Sequence, residues 1–193
     1  MIPNQYVYIL VLNYNNFIQT IECVNSLLQS TYSLYKIIII DNNSTDRSYY
    51  FINKWIEINN KSRVTIIKSE INGGYSYGNN LGISIAQKDE ECKFVWILNN
   101  DTIIEPNSLS ELIHAYNNQY YSIYGSKIIK YKTNIIESMG GSIDKNKLKT
   151  QNIINDKSQI DYIPGVSMFF NKKIIDINGY LPEEYFMYYE DVD

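Results

Sequence analysis

Short apolar runs alternate with longer amphipathic stretches over the first two thirds of the chain. Tyr6 to Leu12 is apolar almost throughout, the pattern of a strand buried on both faces. Phe17, Ile21, Val24 and Leu28 then recur at helical spacing. Lys36 to Ile40 is a β-branched run that stops at Asp41, Tyr50 to Ile58 reads as a helix, and Val64 to Lys68 as a strand. Asn79 to Gln87 reads as a helix that follows a glycine-rich loop. Phe94 to Leu98 is a further buried strand, and Pro106 suits the first turn of a helix running to about Tyr120. After Ser126 the pattern loosens. Ser126 to Tyr131 and Ile135 to Ile143 read as extended segments joined by a turn, and Lys145 to Asp161 as a polar surface excursion. Val166 to Phe170 reads as a strand, and Lys172 to Ile177 as a short helix ended by Gly179.

Strand–helix alternation with continuously apolar strands predicts an α/β fold, with a mostly parallel central sheet flanked by helices on both faces. Sheets of this kind bind ligands outside the carboxyl ends of their strands. The residues just past the predicted strands are polar: Asn13, Asp41, and Asn99 to Asp101.

Composition narrows the function classes. A chain of 193 residues fits one domain, and its net charge of -4 argues against a nucleic-acid partner held by a basic surface. The 2 cysteines cannot form a disulfide framework, and no Cys–His cluster suggests a zinc site. No apolar run approaches the ~20 residues of a membrane span. Met1 to Tyr8 lacks the basic-then-apolar layout of a signal peptide. The expectation is a soluble intracellular protein with free thiols at Cys23 and Cys92.

Four segments could carry chemistry. Asp41 to Asp46 follows a buried strand with short hydrogen-bond acceptors, which suit a ligand or an N-capped turn equally. Asn72 to Gly82 is glycine-rich and opens a helix whose N–H groups could meet a phosphate, or it is an ordinary turn. Trp96 to Thr102 delivers Asp101 to the sheet edge, where one carboxylate plus a diphosphate could hold Mg²⁺ or Mn²⁺; otherwise it is a polar strand end. Tyr188 to Asp193 places three carboxylates in four residues after an aromatic run, a reactive cluster or a solvated tail. His114 reads as a surface residue, Asp89 to Glu91 as a solvated charge run, and Cys23 as a packing residue.

In combination these segments resemble the inverting glycosyltransferases of family 2, which have the GT-A (nucleotide-diphospho-sugar transferase) fold. The likeness spans essentially the whole chain. It rests on Val11-Leu-Asn-Tyr-Asn15, Asp41 to Asp46, Gly73 to Gly82, Leu98 to Thr102, Pro164-Gly-Val-Ser-Met168 and Leu181 to Asp193. The spelling of the last four resembles the rhamnosyltransferase-like subgroup of bacterial surface-polysaccharide enzymes. The resemblance implies a UDP- or dTDP-sugar donor, a divalent cation (Mg²⁺ or Mn²⁺), and a glycan or lipid-linked glycan acceptor. It implies that Asp41 binds the base, with Leu12, Asn13 and Asn43 around the same pocket, and that Asn79 lies near the diphosphate. Asn99 stands where the family has the first Asp of Asp-x-Asp. Asp101 would then be the metal ligand, Asn99 a ribose or outer-shell partner, and Asn100 their neighbour in the donor site. Glu190-Asp191 matches the terminal acidic motif, with Asp191 as general base.

The resemblance also implies one domain, 1–193, with a nucleotide-sugar-binding half (1–125) and an acceptor-side half (126–193). Family members continue past the acidic motif, whereas this sequence stops two residues after Asp191. The expectation is a complete donor site and an acceptor side cut short, in a cytoplasmic protein that a lipid-linked acceptor would bring to the inner face of the membrane, although no basic amphipathic helix supports that placement. Two rivals remain. A sugar-1-phosphate nucleotidyltransferase would carry a basic glycine-rich loop after its first strand, which Asn13 to Phe17 lacks. A non-catalytic nucleotide-sugar-binding module would bind the donor without transfer.

Overall fold

The computed structural model of the chain describes residues 6–118, 123–147, 149–155 and 159–192. Four parallel strands come first, each followed by a helix: β1 (Tyr6–Asn13), α1 (Phe17–Leu27), β2 (Tyr35–Asp41), α2 (Ser48–Ile58), β3 (Val64–Lys68), α3 (Gly74–Lys88), β4 (Cys92–Asn99) and α4 (Ser108–Asn118). Then come β5 (Ile123–Gly125), β6 (Ile128–Ile129), β7 (Ile136–Ser138), β8 (Gly141–Asp144), β9 (Lys149–Asn152), β10 (Ser167–Asn171) and α5 (Lys173–Asn178). The main sheet has the order β3-β2-β1-β4-β10-β5. Only β10 runs against its neighbours. The division expected at residue 125 falls inside this sheet, since β10 sits between β4 and β5 and so the later residues complete it.

Strand periodicity builds two cores. Successive side chains of a strand point to opposite faces. Val7, Ile9 and Val11 of β1 join Ile37, Ile39, Phe94 and Trp96 under α1, α2 and α4. Tyr8 and Leu10 join Ile38, Ile40, Val95 and Ile97 under α3 and α5. Because both faces are covered, the strands read as unbroken apolar runs. Burying each such aliphatic side chain contributes about 1.5–3 kcal/mol. Trp96 also ties β4 to β10, its Nε1 donating to Ser167 Oγ at 3.0 Å.

The sequence misplaced three features. The first is the glycine-rich segment, which is not a loop: α3 begins at Gly74. Gly74, Gly78 and Gly82 recur every four residues along one face of the helix. A Cβ at Gly82 would lie 2.8 Å from Leu10 Cδ2, so the bare backbone lets α3 lie close against β1. The second is the polar excursion, where β9 pairs antiparallel with β8 and Ile153 is buried. The third is the charge run. Asp89 accepts hydrogen bonds from the Tyr8 hydroxyl and from Lys36 Nζ (3.1 Å), while Glu90 and Glu91 are exposed. The helix expected from Pro106 starts at Ser108, and its expected end at Tyr120 lies outside the described residues.

Candidate functional site

The carboxyl ends of β1, β2 and β4 lie side by side, with Asn13 in register with Asp41 and Leu12 in register with Asn99. Asn13 and Asp41 are fully buried. Asn13 Nδ2 donates to Asp41 Oδ2 at 2.8 Å, and Ser44 N donates to Asp41 Oδ1 at 3.0 Å. Both Asp41 oxygens are therefore engaged within the chain. The loop beyond folds over them. Asn15 and Asn43 adopt left-handed backbone (φ 50 and 60), which asparagine tolerates better than most residues. Asn15 Oδ1 accepts from Thr45 N at 2.7 Å, and Asn15 N donates to Ser44 Oγ at 2.9 Å, so the loops after β1 and β2 clasp each other. Asp46 Oδ1 accepts from Ser48 N at 2.9 Å just ahead of α2, but the N-cap position is Arg47, which makes no side-chain cap, so the capping expected of this segment is replaced by a turn.

Thr20 extends the network toward β4. Its hydroxyl donates to Asn13 Oδ1 at 2.7 Å and accepts from Asn100 Nδ2 at 2.9 Å. Asp101 follows and is exposed. Cys23 is buried beneath this turn, with Sγ 3.7 Å from Asn99 O. Burial pushes its thiol up to about 11, so it packs rather than reacts.

On the other side Asn99 N donates to Val166 O at 3.0 Å, and the neighbouring Gly165 N donates to Asp191 Oδ2 at 2.9 Å. Asp191 is half-buried beside Glu190. Burial pushes the Glu190 carboxyl above its usual range, the charge of Asp191 adds to this, and Glu190 Oε2 is buried without a partner among the described residues. Tyr188 and Tyr189 before them both have left-handed backbone (φ 72 and 71). Each costs about 1–2 kcal/mol in a non-glycine residue, so surrounding contacts must hold the turn. Asp193 lies outside the described residues.

Asp41, Asn13, Asn99, Asn100 and Asp191 thus share one network along the strand ends, with Asp101 next to it. Leu12 is half-buried and packs toward α3, where a Cβ at Gly78 would meet it. Asn79 stands apart from the network. It is fully buried in α3, its Nδ2 donates to Tyr75 O of its own helix at 3.0 Å, and its Oδ1 has no partner among the described residues. Two of the N–H groups expected to meet a phosphate at this helix start are already used. Gly74 N donates to Asn72 Oδ1 at 3.3 Å, and Tyr75 N donates to Phe186 O at 2.9 Å.

Sequence reasoning missed Thr20, Ser44, Tyr75 and Gly165. Thr20 carries no local signal, since a hydroxyl within an amphipathic helix is ordinary. Ser44, Tyr75 and Gly165 lie inside segments already singled out. Among the described residues no three His, Cys, Asp or Glu side chains form a metal cluster. The donor set therefore fits a hard cation only where a diphosphate supplies most of the oxygen ligands and Asp101 the protein's share.

An open sheet with one reversed strand and a polar network across its strand ends defines a GT-A-type α/β protein. A family model described as Glycosyl transferase family 2 matches residues 8–177, and the chain belongs to that family. It is 23% identical over 192 residues to the low-salt glycan biosynthesis hexosyltransferase Agl10 of Haloferax volcanii, a match covering 96% of this chain and 59% of that protein. Among solved structures, S. aureus TarS 1-349 in complex with UDP has a TM-score of 0.69 at 20% identity, over 97% of this chain and 53% of that one. GalNAc-T7 with UDP, GalNAc and Mn²⁺ has a TM-score of 0.78 at 14% identity, over 97% of this chain and 38% of that one. The chain thus spans between about a third and three fifths of the proteins it matches here.

Proposed function

We propose that this chain forms a single GT-A domain that transfers a sugar, with inversion, from a nucleotide-diphosphate donor to a hydroxyl of a glycan or lipid-linked glycan. The observation that carries this reading is the hydrogen-bonded path Asp41–Asn13–Thr20–Asn100, continued from Asn99 through Val166 and Gly165 to Asp191. It lines the strand ends where ligands of such sheets bind. The UDP in the TarS complex and the Mn²⁺ in the GalNAc-T7 complex support the donor class and the cation. The glycan-biosynthesis name of the Haloferax relative supports the acceptor class.

On this reading the clasped loops 13–16 and 41–46 form the base pocket. The buried Asp41 acts by fixing Asn13 and Ser44, so that Leu12, Asn13 and Asn43 present the pocket wall. UDP- and dTDP-sugars are the donors proposed, on the family resemblance and on the UDP of the TarS complex. Asn99 and Asn100 face the ribose and outer shell, Asn79 backs the diphosphate from within α3, and Asp101 holds the cation. A bound divalent ion neutralises the charge that builds on the leaving diphosphate, worth several kcal/mol. Asp191 accepts the proton of the attacking hydroxyl, with Glu190 beside it, an effect typically worth about 10²–10⁴-fold. A carboxylate is a weak base for an alcohol, so the proton moves late, as oxygen bonds to carbon. One displacement assisted by one base inverts the anomeric centre. The spelling of residues 164–168 and 181–193 supports the rhamnosyltransferase-like subgroup and a role in surface-polysaccharide assembly. A lipid-linked acceptor would bring the chain to the cytoplasmic face of the inner membrane. Among the described residues no helix is long and apolar enough to cross it.

The test is a thermal-shift screen with UDP, dTDP and GDP, each with and without Mn²⁺. A ligand that binds the folded state raises its stability by mass action. UDP or dTDP should raise the melting temperature and Mn²⁺ should add to the rise. Asp101→Ala should lose the Mn²⁺-dependent part alone. Asp191→Asn should keep the whole shift and lose sugar transfer. No shift with any nucleotide would refute the donor site.

A further inference from the structure

We infer that Tyr75 is a positioning residue that sets the orientation of Asp191 through the Gly165 peptide. The inference rests on the assignment of Asp191 as the base and deepens it.

The geometry holds one residue from both sides, through the two peptide groups that meet at Gly165. Gly165 N donates to Asp191 Oδ2 at 2.9 Å, while Gly165 O accepts from the Tyr75 hydroxyl at 2.5 Å. The next residue supplies Val166 O to Asn99 N at 3.0 Å. The Gly165 segment therefore joins the cation side of the site to the base side, and Tyr75 fixes its remaining polar group. Tyr75 also holds the terminal turn from below, because its own N–H donates to Phe186 O at 2.9 Å. One residue at the start of α3 thus grips both segments that meet at Asp191.

Two observations give this grip a purpose. The turn carrying Glu190 and Asp191 passes through two consecutive left-handed tyrosines, so it does not hold its shape by local preference. The approach is also close: a Cβ at Gly165 would lie 2.8 Å from the Tyr75 oxygen. Gly165 leaves room for the phenol, and the phenol pins the peptide after Gly165, adjoining the one whose N–H meets the carboxylate. Burial, together with the charges of Glu190 and Asp191, pushes the Tyr75 phenol upward, so it stays a hydrogen-bond donor over the working range of pH. The Oδ2 lone pair held by Gly165 is thereby fixed, and Oδ1 is left to face an acceptor hydroxyl. Misplacing a reacting group by about 1 Å can cost on the order of 10²-fold.

The test compares wild type, Tyr75→Phe, Asp191→Asn and the double variant. Phenylalanine keeps the ring packing and removes only the hydroxyl. Turnover of the donor by Tyr75→Phe should fall about ten- to a hundredfold, with UDP–Mn²⁺ affinity changed less than about twofold. The double variant should be no slower than Asp191→Asn, since Tyr75 acts through that carboxylate. Independently of turnover, the Gly165 amide proton in NMR spectra should move as Asp191 ionises. That movement should vanish in Asp191→Asn and shrink by at least half in Tyr75→Phe. The inference is overturned by wild-type turnover in Tyr75→Phe, by a further loss in the double variant, or by an unchanged Gly165 titration. If no variant turns donor over, the Gly165 titration decides alone. Wild-type turnover in Asp191→Asn would instead remove the base assignment, and the titration would still decide whether Tyr75 orients the carboxylate.

Discussion

Asn13 Nδ2 lies 2.8 Å from Asp41 Oδ2, and neither residue has any exposed surface. A buried carboxylate is tolerable only when donors surround it, and here they are the Asn13 amide and the Ser44 main chain. Asn13→Ala removes one donor from Asp41, while the Thr20 hydroxyl keeps Asn16 O as an acceptor at 2.9 Å. The loss should be about 1–3 kcal/mol of stability, at the upper end because the orphaned group is charged. Urea unfolding reads the stability. Weaker UDP binding by calorimetry should accompany it, because the loop over residues 41–46 loses its anchor.

Glycines along α3 give a graded prediction. At Gly82 a methyl group would press on Leu10 and Ile40 in the closed core under the helix, at 2.8 to 3.1 Å. Overpacking of this kind typically costs about 1–3 kcal/mol. That outweighs the ~1 kcal/mol that alanine gains over glycine in a helix. Gly74→Ala should do different damage. Its backbone has φ +84, and a Cβ would lie 2.1 Å from Phe186 O. The terminal turn has to move, so donor turnover should fall further in Gly74→Ala than in Gly82→Ala at equal stability. Thermal melts and turnover assays on both variants check the ordering.

Glu190 should give the fold a pH dependence. Its proton is bound more tightly in the folded chain, because burial and Asp191 disfavour the charge. Stability is then greatest while Glu190 is protonated and declines as pH rises from the ordinary glutamate range through the elevated folded value. Glu190→Gln should raise the melting temperature at neutral pH and flatten the melting profile over that interval. A lower melting temperature at neutral pH would contradict this.

Asp89 should act in the opposite sense, at the far end of the sheet. The Tyr8 hydroxyl first, and Lys36 after it, hold its carboxyl at about 2, below the ordinary 3.8. This contribution is complete above pH 3.8 and disappears as pH falls toward about 2. The Lys36 side chain is 41% exposed, so solvent screens the pair, and the contribution is about 1 kcal/mol rather than the full shift. Asp89→Asn should lose that amount at pH 7 in urea unfolding and almost none near pH 2.

The sequence exposed β1, β2 and β4 because each is buried on both faces, which leaves an unbroken apolar word such as Ile37-Ile-Ile-Ile40. It exposed Asn13, Asp41 and Asn99 to Asp101 because a buried strand that turns suddenly polar must be leaving the core. It misread residues 74–78 as a loop, because glycine has poor helix propensity. The packing of α3 on β1 and β2 overrode that preference. The solvated reading of Asp89 failed for a similar reason, since Tyr8 and Lys36 come from other strands.

What the sequence determined by itself was therefore the alternation of elements, the polar strand ends and the acidic positions. These are written in local periodicity and abrupt changes of polarity, which need no knowledge of distant residues. Only the tertiary structure decided that Thr20 joins Asn13 to Asn100, that Asp41 is enclosed rather than open, and that the Gly165 peptide lies between Tyr75 and Asp191. Those relations span up to 90 residues of chain and exist only once the sheet is paired and α3 is seated on it. No local pattern can encode a hydrogen bond whose two ends are brought together by the burial of everything between them.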